Sequence, residues 1–275
     1  MSADLPELTT IALSLQDGVA EVCLNRPERS NAMNAPMWQE LRSAFAWADA
    51  TPRVRVAILS GAGRNFCGGI DLALLSSVGE LVAHEDAARG REALRRLILD
   101  LQDCLSAIER CRKPVLAGIQ GACIGGAIDL VTCCDMRYAA ADASFSVREI
   151  DVGMTADVGT LQRLPRLISD GLARELAYTG RAVGAREARR SGLVNRVYPS
   201  TDALLSGVRM IALTIAGKSP LAIRGTKEML NYGRDHSIAD GLNYVATWNA
   251  AMLQSADVEE TMRAKHEQRP PRYRD

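Results

Sequence analysis

Three carboxylates and two glycine pairs are the residues of this chain whose types and surroundings could do chemistry. Asp129 lies in Gly126-Ala127-Ile128-Asp129-Leu130-Val131, while Glu149 and Asp157 lie in the run from Val147 to Gly159, all amid small and apolar residues. Burial raises a carboxyl pKa and a neighbouring carboxylate raises it further. A buried group of acids therefore titrates as a coupled set and suits proton transfer near neutral pH. For any one of these acids a cap or a salt bridge is the ordinary role, and Arg148 is a ready partner. Three together are harder to assign that way. Gly68-Gly69 and Gly125-Gly126 each follow an apolar strand. Such turns leave backbone N–H groups free, and glycine lets a ligand approach them. Two converging N–H groups are what an oxyanion hole requires. Either pair alone also reads as a structural strand–helix turn. Asp129 stands three residues past Gly126, less than one helical turn away.

Other chemistries find less support. Neither glycine pair fits the dinucleotide pattern G-x-G-x-x-G or the P-loop G-x-x-x-x-G-K-[ST], so a nucleotide phosphate is not the indicated ligand. No G-x-S-x-G elbow occurs, and neither Ser146 nor Cys67 has a histidine partner visible in the sequence. The seven cysteines include no C-x-x-C pair and sit mostly among apolar neighbours, as buried thiols do. His84, His236 and His266 are scattered, with no ligand spacing, so no metal site is expected.

The elements that must position these residues can be read from periodicity. Thr10–Asn25 predicts a hairpin turning at Asp17-Gly18. Ala35–Ala48 predicts a helix burying Met37, Leu41, Ala44, Phe45 and Ala48. Val54–Ser60 reads as a strand running into the first glycine turns. Leu94, Leu97, Ile98, Leu101, Leu105 and Ile108 mark a long helix stopped at Lys113-Pro114. Val115–Ile119 is a buried-type strand leading to Gly125-Gly126, with a buried helix over Ala127–Cys134. Short strands follow near Met136–Ala139 and Ser144–Val147. From Gly159 the chain is mainly helical, through Ala185–Ser191, Asp202–Ala216, Pro220–Tyr232 and Gly241–Gln254. This is an α/β fold with a helical C-terminal region.

Composition narrows the class. The chain has 275 residues, 33 Lys+Arg against 33 Asp+Glu, and is 47% hydrophobic. That length gives ample core, and zero net charge argues against a nucleic-acid partner. No apolar run approaches the roughly 20 residues of a membrane span. The start Met1-Ser2-Ala3-Asp4-Leu5 is unlike a signal peptide, and Pro270–Asp275 is not a Ser-Lys-Leu address, so a cytoplasmic protein is expected. The basic tail Arg263–Asp275 reads as solvated or partner-facing.

Several blocks resemble the crotonase (enoyl-CoA hydratase/isomerase) superfamily. These are Leu24-Asn25-Arg26-Pro27 with Asn31-Ala32-Met33, Phe66-Cys67-Gly68-Gly69-Ile70-Asp71-Leu72, Gly121…Gly125-Gly126…Asp129-Leu130, Gly159–Pro165, and Ser191-Gly192-Leu193-Val194. The resemblance covers about Thr10 to Gln254. It implies a spiral of ββα units over residues 1–200 carrying an acyl-CoA site, and a helical region over 201–275 that drives trimerisation, often into a dimer of trimers. By position it implies oxyanion donors at Gly68 and Gly126. It also implies that Gly68, Gly69, Ile70, Asp71 and Leu72, with Gly126, line the thioester, and that no cofactor is needed beyond the acyl-CoA substrate.

The acids select a branch of the family. Hydratases carry glutamates at positions 129 and 149, whereas here the first is Asp129 and a third acid, Asp157, has been added. In this the chain resembles the Δ3,5-Δ2,4-dienoyl-CoA isomerases of β-oxidation, as it does in Thr247-Trp248-Asn249 and Met252-Leu253-Gln254. Ala127, where a third glycine is common, is a departure. Isomerising a 3,5-dienoyl-CoA removes a proton at C2 and delivers one at C6, roughly 5 Å apart by ordinary bond lengths. Two carboxyl groups are expected for two such sites. Glu149 is assigned the base at C2, Asp157 the acid at C6, and Asp129 the third acid that tunes them. A hydratase or another enoyl-CoA isomerase is the alternative, and a CoA-binding or RNA-associated scaffold a remote one.

Overall fold

Asp17 and Gly18 both take positive φ, 54° and 79°. That is the backbone of a tight hairpin turn whose twist matches the strands it joins. It folds β1 (Ile11–Gln16) back on β2 (Val19–Leu24), with Gln16 opposite Val19. This computed structural model describes residues 5–74, 76, 79, 83 and 86–275. Four more strands join β2 in parallel: β3 (Val56–Gly61), β4 (Val115–Ile119), β6 (Met136–Ala140) and β9 (Arg196–Tyr198). The large sheet has the order β1-β2-β3-β4-β6-β9. A second, small sheet has the order β5-β7-β8, from β5 (Ala122–Ile124), β7 (Ser144–Ser146) and β8 (Val183–Gly184). In two successive units, β4 then β5 and β6 then β7, the chain crosses from the large sheet to the small one before its next helix. This is the strand–strand–helix repeat that the family resemblance implies.

Parallel strands need crossover helices, and these cover both faces of the large sheet. On one face lie α1 (Ala35–Ala50) and α2 (Ala87–Arg110), which pack against each other. Helix α1 is capped by Asn34, whose side chain accepts from Met37 N, and buries the five expected residues together with Trp38. Helix α3 (Gly126–Thr132) is buried at every residue. Short α4 (Thr160–Arg163), α5 (Asp170–Thr179) and α6 (Ala185–Ser191) follow. The other face is covered by α7 (Thr201–Ala216), which sets Leu204, Val208 and Ala212 on a second core with Val56, Ile58, Leu116 and Tyr138. Helices α8 (Pro220–Tyr232), α9 (Ile238–Met252) and α10 (Ala256–His266) complete the chain's helical part.

The basic tail is mostly exposed, as expected, but it is tied to the helices at several points. Arg263 and Arg269 hold the Glu260 carboxylate, which also accepts from Arg272 N at 2.8 Å, and Arg224 pairs with Asp275. No helix among the described residues is long and apolar enough to cross a membrane.

Candidate active site

The two glycine turns meet because the strand segments that lead into them are paired. Cys67 bridges Cys123 in parallel: Cys67 N donates to Ala122 O at 3.0 Å and Ile124 N to Cys67 O at 3.1 Å. Gly69 then passes so close to β5 that a Cβ there would stand 2.7 Å from Ile124 O, with φ at +98°. Only glycine fits both demands. A second bridge, Met33 with Ile70, uses Gly69 O and Asp71 N, at 2.8 and 3.0 Å from Met33 N and O. In that pattern the amide of Ile70 faces away from Met33. It has no acceptor among the described residues, and it lies 3.7 Å from where a Cβ on Gly126 would be. Gly126 is the first residue of α3, so its own N–H has no partner one turn back.

This changes one expected donor. Gly68 N donates to Ser30 O at 2.8 Å and is therefore spent on holding the turn. The free amide is two residues on, at Ile70. Glycine content locates the turn in the sequence, but which N–H escapes bonding depends on the bridge to Met33. The rest of the segment is divided in its duties. Gly69 N donates to the Cys67 thiol at 3.4 Å. Asp71 pairs with Arg26 at 3.0 Å and accepts from Ala73 N at 3.1 Å, and the guanidinium keeps its carboxyl below the usual range. Leu72 is 69% exposed. Behind the turn, fully buried Asn31 donates to the carbonyls of Ala62, Asn65 and Phe66 and accepts from Arg26 N.

The three acids come together beside these amides. Asp129, in the first turn of α3, has no exposed surface. Its Oδ1 accepts from Thr160 N at 2.5 Å, and its Oδ2 has no hydrogen-bond partner among the described residues. Glu149 opens a short 3-10 turn, and its Oε1 stands 3.5 Å from where a Cβ on Gly125 would be. Its Oε2 is buried and also unpartnered. Asp157 is half-buried on the loop before α4, and its main-chain O accepts from Gln102 Nε2 at 2.6 Å. No ion pair reaches any of the three among the described residues, since Arg148 turns to Asp151 at 3.3 Å.

Burial, only partly offset by hydrogen bonds, therefore governs their charge. Burial first, then the nearby Glu149 and Asp157 carboxylates, push Asp129 up to about 7, against the Thr160 bond that favours its ionised form. Glu149 is raised by burial and then by Asp157, and Asp157 is raised by burial. Carboxyl groups raised in this way titrate as a coupled set nearer neutral pH than free ones do, which suits them to accept and donate protons. With two unpaired amides alongside, the site can bind an oxygen that gains negative charge while protons move on the adjoining carbon chain.

The other candidates play no such part. Burial pushes the Cys67 thiol up to about 12, far from a thiolate nucleophile at neutral pH. His236 Nδ1 is 2.9 Å from Tyr232 O, and His84 lies outside the described residues, as do Met1 to Asp4. Among the described residues no three His, Cys, Asp or Glu side chains are grouped to hold a metal ion. The sequence reading missed two groups, the Ile70 amide and the Thr160 amide that holds Asp129.

The enoyl-CoA hydratase/isomerase family model matches residues 14–275. The chain belongs to this family. Within it, the chain is 46% identical over 267 residues to the peroxisomal Delta(3,5)-Delta(2,4)-dienoyl-CoA isomerase of Arabidopsis thaliana, covering 97% of this chain and 96% of the relative. It is 47% identical over 255 residues to the mitochondrial Delta(3,5)-Delta(2,4)-dienoyl-CoA isomerase of Homo sapiens, covering 92% of this chain and 78% of that one. Among solved structures, the enoyl-CoA hydratase from Bacillus anthracis superposes with a TM-score of 0.86 at 31% identity, over 97% of this chain and 99% of that chain. The relatives overturn the cytoplasmic expectation, because these two isomerases are named as peroxisomal and mitochondrial. That expectation rested on what the two termini lack, and such an absence does not identify a compartment.

Proposed function

We propose that this protein is a Δ3,5-Δ2,4-dienoyl-CoA isomerase of fatty-acid β-oxidation. The observation that carries the reading is the cluster of three acids, which no ion pair reaches among the described residues, beside the Ile70 and Gly126 amides, in a chain 46% identical to an enzyme of that name. The thioester oxygen of a 3,5-dienoyl-CoA accepts from those two N–H groups. The Glu149 carboxylate takes a proton from C2, and the C–H electron pair moves toward the thioester carbonyl to give a trienolate whose charge rests on that oxygen. The Asp157 carboxylic acid then delivers its proton to C6, leaving double bonds at C2 and C4. A proton passing from Glu149 to Asp157 restores the starting state. Asp129 sets how readily the other two share protons. Every step moves a proton and an electron pair, so the balance calls for no oxidant, reductant or metal.

Hydration, the alternative, would need a water held between Asp129 and Glu149. Asp129 Oδ1 is committed to Thr160 N, and the side chain is fully buried. This favours isomerisation. The same reading divides the chain into a core over 1–200 that binds acyl-CoA and a helical region over 201–275 for self-association as a trimer or dimer of trimers. In its support, α9 buries none of its residues in this protomer, with Ile238 84% and Leu242 64% exposed.

The test is an ultraviolet assay with a 3,5-dienoyl-CoA, beside a 2-enoyl-CoA hydration control. Growth of the conjugated 2,4-dienoyl absorbance with little hydration is expected. Hydration without isomerisation would return Asp129 and Glu149 to a hydratase pair and leave Asp157 without a role.

A further inference from the structure

Asp157 is fastened from behind by a helix that carries none of the three acids. Gln102, Ser106 and Glu109 are spaced i, i+4, i+7 along α2 and so share one face. Gln102 Nε2 donates to the Asp157 carbonyl at 2.6 Å. Ser106 Oγ accepts from Arg163 Nη2 at 3.1 Å, and Glu109 Oε2 accepts from Arg163 Nε and Nη2 at 3.1 and 2.9 Å. The Arg163 guanidinium in turn lies against Gly159, so closely that a Cβ there would overlap Nη1. Residues 157–160 are thus tied to α2 twice, at Asp157 directly and at Gly159 through Arg163. The segment ends in the Thr160 N–H that holds Asp129.

Gln102, Ser106, Glu109, Gly159 and Arg163 also line a cavity of about 560 Å³ to which none of the three acids contributes. Open space, not packed side chains, lies on that side, so directional hydrogen bonds are left to set the position of the segment. The residue type is apt as well. A Lys or Arg at position 102 would also reach the carbonyl, but its charge would favour ionised Asp157 and oppose its use as an acid. Glutamine donates without adding charge.

We propose that Gln102 is a positioning residue for the proton donor: its bond to the Asp157 carbonyl, backed by the Arg163–Glu109 clamp, sets where the Asp157 carboxyl stands relative to Glu149. This rests on the dienoyl-CoA isomerase reading. Gln102 acts through Asp157, so its loss should weaken delivery at C6 and spare proton removal at C2.

The experiment compares Gln102→Met, of similar length but with no donor, and Gln102→Glu, an acceptor in the donor's place, with the parent enzyme in D2O. Two rates are read on a 3,5-dienoyl-CoA: deuterium exchange at C2 in recovered substrate, and isomerisation. Displacing a catalytic group by about 1 Å costs up to about 100-fold. Isomerisation is therefore expected to fall about 10- to 100-fold in both variants. C2 exchange should stay within about twofold, because Glu149 lies outside the tied segment. In an Asp157→Asn background the substitutions should cost nothing further, since residues acting as one unit are not additive. Exchange and isomerisation falling together, no change in either, or an equal further loss in the Asp157→Asn background would each overturn the proposal. A parent enzyme without isomerase activity, or an Asp157→Asn variant that keeps it, would instead refute the underlying reading.

Discussion

Replacing Asp129 by asparagine should change how stability depends on pH, and the size of the change can be worked from its surroundings. The carboxyl is pushed from its ordinary 3.8 to about 7 by burial and by its acidic neighbours. Each pKa unit corresponds to about 1.4 kcal/mol, so ionised Asp129 costs the folded state about 4 kcal/mol relative to the unfolded chain. The sign follows from the raised value. Asp129's contribution is fully present below the unfolded value and is lost as pH rises through about 7. Between pH 5 and pH 8 the loss is about 3 kcal/mol. Asparagine cannot ionise. Its Oδ1 can keep the Thr160 bond, while its Nδ2 takes the place of the unpartnered Oδ2 at a cost of about 1–3 kcal/mol that does not vary with pH. The variant need not be the more stable protein at pH 5, but its melting temperature relative to the parent should climb by roughly 5–10 °C between pH 5 and pH 8. Scanning calorimetry across that range measures it. A difference that stays flat, or shrinks with rising pH, would refute the claim that burial outweighs the Thr160 bond at Asp129.

Asp157→Asn should abolish most isomerisation while leaving acyl-CoA affinity nearly intact, as titration calorimetry with a product acyl-CoA would register; lost binding would make Asp157 a pocket wall. If, as proposed, Glu149 acts ionised and Asp157 protonated, then kcat/KM should be bell-shaped in pH, with its alkaline limb tied to Asp157 and lost in Asp157→Asn. Ile70→Pro removes an N–H that has no acceptor among the described residues, so turnover should fall about 10²–10³-fold with the fold retained, and an unchanged rate would place the thioester oxygen elsewhere. Gly69→Ala meets Ile124 O and an unfavourable φ, and thermal melting should show a loss on the order of 1–3 kcal/mol; a neutral result would mean that the turn relaxes.

Periodicity carried much of the fold. The hairpin, α1 and β4 follow from local pattern, because each buries a face whose spacing is written in a few neighbouring residues. Helix α2 starts at Ala87, seven positions before the first apolar residue of its stripe, since capping by Asp86 and not burial decides where it begins. The small sheet was harder to see. β7 falls within the strand expected near Ser144–Val147, but β5 and β8 have only three and two residues, and only their pairing with β7 makes them strands. The site divided in the same way. Asp129, Glu149 and Asp157 stood out as acids in apolar sequence, and their residue types already constrain the chemistry. The Ile70 amide did not stand out, because every residue but proline has an N–H and only a tertiary bridge leaves this one free. The Thr160 and Gln102 contacts were hidden for the same reason: each partner is more than thirty positions away, |i−j| being 31 and 55.

The groups that would hold the oxygen and those that would move protons belong to different parts of the chain's heredity. Both amides are main chain, so almost any mutation at Ile70 that preserves the turn transmits the donor unchanged, and a lineage can drift there without losing it. Each acid is a side chain on its own element: α3, the 3-10 turn at Glu149, and the loop before α4. A single codon change can delete one of them while the backbone donors stay in register. A scaffold built this way can change reactions by exchanging acids one at a time, with every intermediate still able to stabilise the same anionic oxygen.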